Sequence, residues 1–291
     1  MNYNSLGKTI ILTSLALIAF AANSVLCRLA LGNGTIDASG FTVVRLLSGS
    51  IVLLIIIGLT RQTSGISKKG SWVASFMLFF YAVTFSYAYV SLDTGTGALI
   101  LFASVQITMI LLSLIAGTRL HFIEWIGVAV AFTGFVYLIL PGVTTPSVVG
   151  FVLMTIAGIA WGIYTLKGRG SNTPLIDTAY NFFRTTPLVL ILVLLTINKS
   201  NLSFEGILLA AVSGGITSGI GYTIWYIALG GLSSTQAAVL QLSVPVIAAF
   251  GGVIFVAETI TIRLTISAIL VLGGIFMVVI GKYYFTRLRN E

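Results

Sequence analysis

Residues 9–27 read TIILTSLALIAFAANSVLC, a run of nineteen residues without a charged side chain. Folded as an α-helix, a run of this length crosses the hydrocarbon core of a bilayer, which is about 30 Å thick. The sequence contains ten apolar stretches of about twenty residues, and they lack the strict alternation of polarity that a membrane β-barrel requires. We therefore predict an all-α polytopic membrane protein with ten transmembrane helices. The predicted spans are Thr9–Cys27, Ser39–Leu59, Ser71–Ser91, Gly95–Gly117, Phe122–Leu140, Pro146–Leu166, Ile176–Ile197, Gly206–Leu229, Ser234–Ala257 and Ile262–Tyr283.

The composition agrees with a membrane protein and argues against several other classes. Apolar residues make up 57% of the 291 residues and charged residues only 8%, whereas soluble domains carry about 25%. The fifteen basic residues give a net charge of +8 but do not cluster, so we expect no nucleic-acid partner. Cys27 and His121 are the single cysteine and the single histidine. Because common metal sites and nucleophilic catalytic sites need more of these residues, we expect no metal, no cofactor and no enzyme activity.

The basic residues predict the orientation, because the short cytoplasmic loops of membrane proteins are enriched in Lys and Arg. A cytoplasmic N-terminus places ten basic residues on the cytoplasmic side and three, Arg28, Lys199 and Arg263, on the other. The ten are Lys8, Arg61, Lys68, Lys69, Arg119, Lys167, Arg169, Lys282, Arg287 and Arg289. The prediction is a multi-pass protein of the inner (plasma) membrane with both termini in the cytoplasm.

The two halves of the chain are related by a shift of 139 residues, which lays the first five predicted spans on the last five without a gap. Polar matches under this shift include Arg45 on Arg184, Asn33 on Asn172, Tyr87 on Tyr226, Thr96 on Thr235 and Ser104 on Ser243. Since five is an odd number, the halves must have opposite orientations in the membrane. Inverted repeats of this kind are typical of transporters. We predict that residues 1–141 and 142–291 form two inverted five-helix repeats of one transport domain.

Residues 226–259 carry short motifs of a known family. The motifs are Tyr226-Ile-Ala-Leu, Ser233-Ser-Thr-Gln-Ala-Ala-Val-Leu, Leu242-Ser-Val-Pro-Val and Ala257-Glu258-Thr. This pattern resembles the EamA-type repeat of the drug/metabolite transporter superfamily. The first half departs from it at Gln106 and Arg119, which replace a proline and a glutamate. The resemblance implies a ten-helix carrier with a central cavity, working by alternating access. It points to a superfamily that exports amino acids and other metabolites or exchanges nucleotide sugars and phosphorylated sugars, with the amino-acid exporter branch among its members.

Aromatic and polar side chains within the spans are the candidates for lining such a cavity. A buried Tyr or Trp needs a partner for its polar tip, and within a bilayer that partner must be protein, water or ligand. Hydrogen bonds between helices would explain any one of these residues alone. Together they indicate an uncharged, aromatic-rich cavity for a neutral or zwitterionic metabolite. The candidate substrate-binding residues are Asn23, Tyr81, Tyr87, Gln106, Trp161, Tyr164, Tyr222, Trp225, Gln241 and Ser243.

Arg45 and Arg184 lie inside predicted spans, and two interpretations stay open for them. Each side chain could extend to the lipid head groups or pair with an acid, such as Asp177 for Arg184. Alternatively, they form a symmetric pair that gates the pathway or binds a substrate carboxylate, which a guanidinium group holds through two parallel hydrogen bonds. Inversion of the repeat would place Arg45 near the outer surface and Arg184 near the inner one.

All seven acidic residues lie at or near the ends of spans, whereas ion-coupled transporters commonly use a carboxylate near the middle of the membrane. We predict a transporter that exports small metabolites, first of all amino acids with apolar or aromatic side chains, without an obligatory coupling ion. The alternatives are a proton-coupled exporter of drugs or hydrophobic compounds and, with less support from the residues, an intramembrane enzyme or a channel. The expected partners are a small-molecule substrate and the lipid bilayer, and the sequence is compatible with a monomer.

Overall fold

The computed structural model describes residues 6–60, 70–115, 117, 121–140, 146–169, 171–196, 201–232 and 234–288. Within these ranges the chain is helical apart from its connections, and the only extended pairing is an isolated bridge between Ile36 and Leu202. The predicted all-α class is confirmed. The helices are α1 (Leu6–Gly32), α2 (Ala38–Thr60), α3 (Trp72–Tyr89), α4 (Thr94–Ile115), α5 (Phe122–Ile139), α6 (Val148–Gly168), α7 (Pro174–Phe183), α8 (Thr186–Thr196), α9 (Phe204–Val212), the π segment (Ser213–Ile220), α10 (Gly221–Leu229), α11 (Ser234–Gln241), α12 (Val244–Val256) and α13 (Ile262–Leu288).

Some residues used for the predicted orientation and motifs lie outside the described residues. They are Arg61, Lys68, Lys69, Arg119, Lys199, Ser233 and Arg289, and the predicted boundary between residues 141 and 142 lies outside as well. The side chains of Lys282 and Arg287 are also not described.

Nine helical stretches of the described residues are long and apolar enough to cross a membrane, and each coincides with a predicted span. The remaining prediction, Phe122–Leu140, corresponds to a shorter apolar helix, Phe122–Leu138. The prediction of a polytopic helical membrane protein is therefore confirmed.

Two predicted spans are broken, and proline sets both breaks. Pro187 is the second residue of α8, and Pro245 is the second residue of α12. A proline ring clashes with the carbonyl group four residues earlier. Those carbonyls belong to Phe183 and Gln241, which are the last residues of α7 and α11. Spans seven and nine are thus each a pair of shorter helices.

The eighth span is continuous but passes through the π segment, whose sequence SGGITSGI contains three glycines. Gly214 lies directly against α2, where a Cβ atom would overlap the carbonyl oxygen of Arg45 and the hydroxyl of Ser48. π-helical turns are rare and often occur at functional sites. The missing side chain at Gly214 lets α2 approach the π segment closely, which brings Arg45 into the interior.

The two halves of the chain pack into each other. Helix α6 packs against α3 and α4, while α1 packs against α10 with the π segment and against α12. A shift of 139 residues converts the first set of partners into the second. Helix α2 packs on the π segment and α7, and α5 packs on α13. The most deeply buried side chains therefore lie where α1, α2 and α3 of the first half meet α6, the π segment and α10 of the second half.

Candidate functional site

Arg45 of α2 lies in the interior of the molecule, with 1% of its surface exposed. Its Nε atom donates a hydrogen bond to Oγ of Ser218 at 3.0 Å. Its Nη2 atom donates to the hydroxyls of Tyr81 at 3.2 Å and Tyr222 at 2.8 Å. The guanidinium carbon also lies 5.0 Å from the ring centre of Tyr81 and 4.9 Å from that of Phe85. Contact with lipid head groups is excluded for this side chain because it is buried.

The Arg45 guanidinium is a buried charge with no carboxylate in ion-pair contact among the described residues. The carboxylates of Asp93 and Glu258 pair with Arg28 instead. The Nη1 atom of Arg45 is buried and has no hydrogen-bond partner among the residues that the structure describes. Burying a charge costs several kcal/mol unless an opposite charge and hydrogen bonds compensate it. An arginine placed in this way favours an anionic ligand.

Asn23 of α1 forms the other polar part of the site. Its Oδ1 atom accepts hydrogen bonds from the hydroxyls of Ser213 at 2.6 Å and Thr217 at 3.3 Å. Its Nδ2 atom donates to the Tyr81 hydroxyl at 3.3 Å. Since Tyr81 also accepts from Arg45, the network is continuous across α1, α2, α3 and the π segment. This network fixes the orientation of the groups that hold Arg45.

Aromatic rings surround the polar network. The ring centre of Trp161 lies 4.5 Å from that of Tyr222, 4.9 Å from that of Tyr81 and 5.2 Å from that of Tyr164. Phe20 stands edge-on to Trp161 at 5.9 Å and to Trp225 at 5.6 Å. Such rings give a binding site a large apolar surface with few polar atoms. The site therefore combines a cation at one end with an aromatic wall beside it.

A small cavity lies between the polar network and the rings. Its volume is about 10 Å³, which holds roughly one water molecule. A ligand of the size of an amino acid enters only if the helices or side chains move. The lining residues are Phe20, Asn23, Tyr81, Phe85, Leu101, Phe102, Trp161 and Tyr222.

The structure brings together six of the ten predicted substrate-binding residues, and Arg45 joins them. The six are Asn23, Tyr81, Trp161, Tyr164, Tyr222 and Trp225.

The other four predicted residues do not line the small cavity. Tyr87 is 39% exposed on α3, and the Ser243 hydroxyl donates to the Leu240 carbonyl at 2.7 Å. Gln106 and Gln241 are buried on α4 and α11 but do not line the cavity. The buried Oε1 atom of Gln241 has no hydrogen-bond partner. These four residues stay predictions.

Arg184, the predicted counterpart of Arg45, does not reach the cluster. It follows α7 at the helix end, with its guanidinium carbon 5.5 Å from the ring centre of Trp72. The two arginines occupy different surroundings, so the structure does not show the predicted symmetric pair.

Several residues of the cluster were not among the predicted ones. Phe20, Phe85 and Phe102 gave no signal, because they are three of eighteen phenylalanines in the chain. Ser213 and Thr217 are spaced four residues apart, so they lie on one face of a helical span that is otherwise apolar. These two polar residues on one helix face are a sequence signal that could have identified the π segment as part of the candidate site.

Hydrogen bonds close the interface between the halves at the end where α2 begins. The carboxylate of Asp37 accepts from the backbone N–H groups of Gly40 at 3.0 Å and Asn201 at 2.9 Å, and from the Ser39 hydroxyl. Partial burial raises the pKa of the Asp37 carboxyl, but these hydrogen bonds outweigh it and hold the pKa below its ordinary value of 3.8. We call this contact, which includes the Ile36–Leu202 bridge, the Asp37 latch.

A second contact closes the opposite end of the interface, where α3 begins. The carboxylate of Asp177 accepts from the backbone N–H of Gly70 at 2.9 Å and from the Ser171 hydroxyl. The side-chain oxygen of Asn181 accepts from the backbone N–H of Ser71 at 2.8 Å. We call this contact the Asp177 latch. Each latch joins one half of the chain to the other.

Comparisons with known proteins agree with this architecture. A protein of Pseudomonas aeruginosa is 44% identical over 271 residues, which cover 93% of this chain and 94% of the relative. An uncharacterized transporter of Archaeoglobus fulgidus is 24% identical over 207 residues, covering 68% of this chain and 72% of the relative. The uncharacterized transporter YoaV of Bacillus subtilis is 19% identical over 249 residues, covering 81% and 85%. A crystal structure with 20% identity has a TM-score of 0.59 and covers 91% of this chain and 97% of its own, which supports the fold alone.

The family comparison extends over nearly the whole chain. The EamA-like transporter family matches residues 7–140 and, a second time, residues 148–280. These matches contain the helices that build the Arg45 cluster. The chain therefore belongs to the EamA-like transporter family, within the drug/metabolite transporter superfamily, and is a multi-pass membrane transporter.

Proposed function

We propose that this transporter exports small metabolites that carry one carboxylate, first of all amino acids with apolar or aromatic side chains. The single observation that carries the proposal is the buried Arg45 guanidinium, which no carboxylate among the described residues contacts. Its Nη1 atom has no hydrogen-bond partner, while its other two nitrogens are held by Ser218, Tyr81 and Tyr222. A substrate carboxylate would compensate the charge and accept from Nη1.

The aromatic residues near Arg45 are suited to the apolar side chain of the proposed substrate. Phe20, Trp161 and Phe102 line the cavity beside Asn23 and offer an apolar or aromatic side chain a surface to pack against. An ammonium group would replace one of the two hydroxyl groups, of Ser213 and Thr217, that donate to the Oδ1 atom of Asn23. A phosphorylated sugar would bring about two negative charges, while the cluster provides one cation. An amino acid zwitterion matches both the polar groups and the rings.

The two latches support alternating access as the mechanism. Both join the first half of the chain to the second, and they lie at opposite ends of the interface. Opening one latch while the other stays closed would expose the Arg45 cluster to one side at a time. The exchange of packing partners between the halves supports the inverted repeat of residues 1–141 and 142–291. With both termini in the cytoplasm of a cell with an inner membrane, the Asp177 latch faces the cytoplasm.

Transport does not require an ion gradient in this proposal. The acids of the described residues stand at helix ends: Asp37, Asp93, Glu124, Asp177, Glu205 and Glu258. Proton-coupled and sodium-coupled carriers commonly place a carboxylate near the middle of the membrane beside the substrate. In this proposal the carboxylate of the substrate compensates the positive charge of Arg45.

The proposal is tested by counterflow into liposomes that contain the purified protein and no ion gradient. Liposomes preloaded with unlabelled leucine or phenylalanine should accumulate the labelled amino acid transiently and saturably, and glucose 6-phosphate should not compete. Efflux from preloaded cells tests the direction, since expression should speed the loss of the amino acid. A strict requirement for a proton or sodium gradient would contradict the uncoupled mechanism. Counterflow of nucleotide sugars in place of amino acids would contradict the substrate class.

A further inference from the structure

A second cavity, separate from the Arg45 cluster, opens on the outer surface of the helical body between α12 and α13. Its volume is about 430 Å³, and α4 forms its floor. The small residues Gly95, Ala249 and Gly273 create the depression, and larger apolar side chains such as Phe250 and Leu264 form its sides. Phe250 is 58% exposed, so the cavity is a groove on the surface that faces the membrane.

The length of the groove matches one leaflet of a bilayer. Along α13 its lining extends from Leu264 to Gly273. At a rise of about 1.5 Å per residue, this distance is roughly 14 Å, or about half of a 30 Å hydrocarbon core. A transmembrane helix from another protein would need a groove along the full thickness. An acyl chain of one phospholipid fits the observed length.

The groove ends in a polar mouth at the surface of the membrane. A smaller pocket there shares Gly95, Ala249, Ile260 and Leu264 with the groove. The rest of its lining is Asp93, Thr96, Val253, Glu258, Thr259 and Thr261. The apolar groove is therefore continuous with a polar pocket at the position where a lipid head group lies.

The charges of the mouth favour a cation. Arg28 lies between two carboxylates, 3.1 Å from Glu258 and 3.5 Å from Asp93, so these three side chains together carry one net negative charge. Glu258 is also bonded to the backbone N–H of Thr94 through both oxygens, and its side chain is 12% exposed. The side chain of Asp93 is 60% exposed and has the longer contact with Arg28. Asp93 is thus the carboxylate that a head group can reach.

We propose that this groove binds a phospholipid with a primary ammonium head group, such as phosphatidylethanolamine. One acyl chain lies between α12 and α13, and the ammonium group donates hydrogen bonds to Asp93. Phosphatidylcholine carries a cation without N–H donors, and phosphatidylglycerol carries no cation. The groove accepts the chains of all three lipids, whereas the mouth distinguishes their head groups.

Native mass spectrometry of the full chain in detergent tests the proposal with the dioleoyl forms of these three lipids, each added at the same concentration. Phosphatidylethanolamine should bind about three to five times more tightly than the other two, because an exposed charge pair contributes up to about 1 kcal/mol. Asp93→Asn should remove this preference. Gly273→Phe should remove the binding of all three lipids, since a Cβ at Gly273 meets no atom within 4 Å and the ring can occupy the groove.

The melting temperature in detergent checks the fold of each variant, and Gly58→Ala is a matched glycine control because its Cβ also meets no atom within 4 Å. If Gly273→Phe does not fold, the proposal is tested by Asp93→Asn alone. That variant should bind the three lipids equally tightly. Equal binding of the three lipids to the unchanged protein would overturn the proposal. A dimer that disappears in Gly273→Phe would also overturn it, because the groove would then be an interface between copies.

Discussion

Helix α2 and the α7–α8 pair match under the shift of 139 residues, yet their arginines have different surroundings. An acidic residue beside or within the first turn of each forms a latch, Asp37 before α2 and Asp177 in α7. Arg45 is buried against two tyrosines of other helices, whereas Arg184 lies at a helix end beside Trp72. Positions that match in the sequence therefore do not have the same contacts.

The backbone explains the difference. Helix α2 is continuous from Ala38 to Thr60, and Gly214 lets it press against the π segment. Span seven breaks at Arg184, because Pro187 ends α7 at Phe183. One arginine is thus carried on a regular helix into the core, and the other lies at a break. A single proline and a single glycine make the carrier asymmetric at its centre.

The largest effect should separate the two arginines. Arg45→Gln should reduce counterflow of leucine or phenylalanine at least about 30-fold, because losing a buried, hydrogen-bonded charge from a binding site costs about 2–5 kcal/mol. Arg184→Gln should change it less than about threefold. Initial rates of counterflow, with equal amounts of folded protein in the liposomes, measure both. Comparable losses of counterflow in the two variants would support the alternative hypothesis, in which Arg45 and Arg184 act as a symmetric pair.

The next effect concerns the contact that positions Arg45. Gly214→Ala places a methyl group against the Arg45 carbonyl and the Ser48 hydroxyl, so it should destabilise the protein by about 1–3 kcal/mol. Gly58→Ala, on the same α2, should have no such effect because its Cβ meets no atom within 4 Å. The melting temperature in detergent measures both. An unchanged melting temperature in Gly214→Ala would mean that α2 does not depend on this contact.

A smaller effect sharpens the role of the rings near Arg45. Trp161→Ala should lower counterflow about tenfold, since a ring contact with the substrate and a desolvated wall contribute roughly 1–2 kcal/mol. Trp125→Ala is the control, because Trp125 is 55% exposed on α5, far along the chain from the cluster. The affinity for a series of apolar amino acids measures the change. Equal effects of the two substitutions would argue against an aromatic substrate site.

The smallest expected effect concerns Asp37, which lies at the start of α2. Because hydrogen bonds lower the pKa of Asp37, its contribution to stability is complete above the unfolded value of about 3.9 and is lost as the pH falls through the lowered value. Asp37→Asn should therefore destabilise the protein by less than about 1 kcal/mol near pH 7 and by less still near pH 3. Melting temperatures between pH 3 and 7 test this expectation. A difference that grows toward low pH would have the wrong sign.

The membrane fold and six residues of the cluster can be predicted from the amino-acid sequence alone. Runs of about twenty apolar residues have few stable structures in a bilayer, since each backbone group must be bonded within its own helix. The prolines at 187 and 245 likewise set the helix breaks through local geometry. Tyr81, Trp161 and Tyr222 were predictable because aromatic residues with polar tips need partners inside a membrane.

Only the tertiary structure decided which polar residues meet. Asn23 and Gln106 have the same chemical signal, yet one lines the central cavity and the other does not. Arg45 and Arg184 match in the repeat, but their positions depend on how closely α2 approaches the π segment. That approach is a property of two helix surfaces in contact, residues 45–49 against residues 213–219. The amino-acid sequence gives the spacing of residues within each helix. The distance between two helices depends on how their surfaces pack against each other.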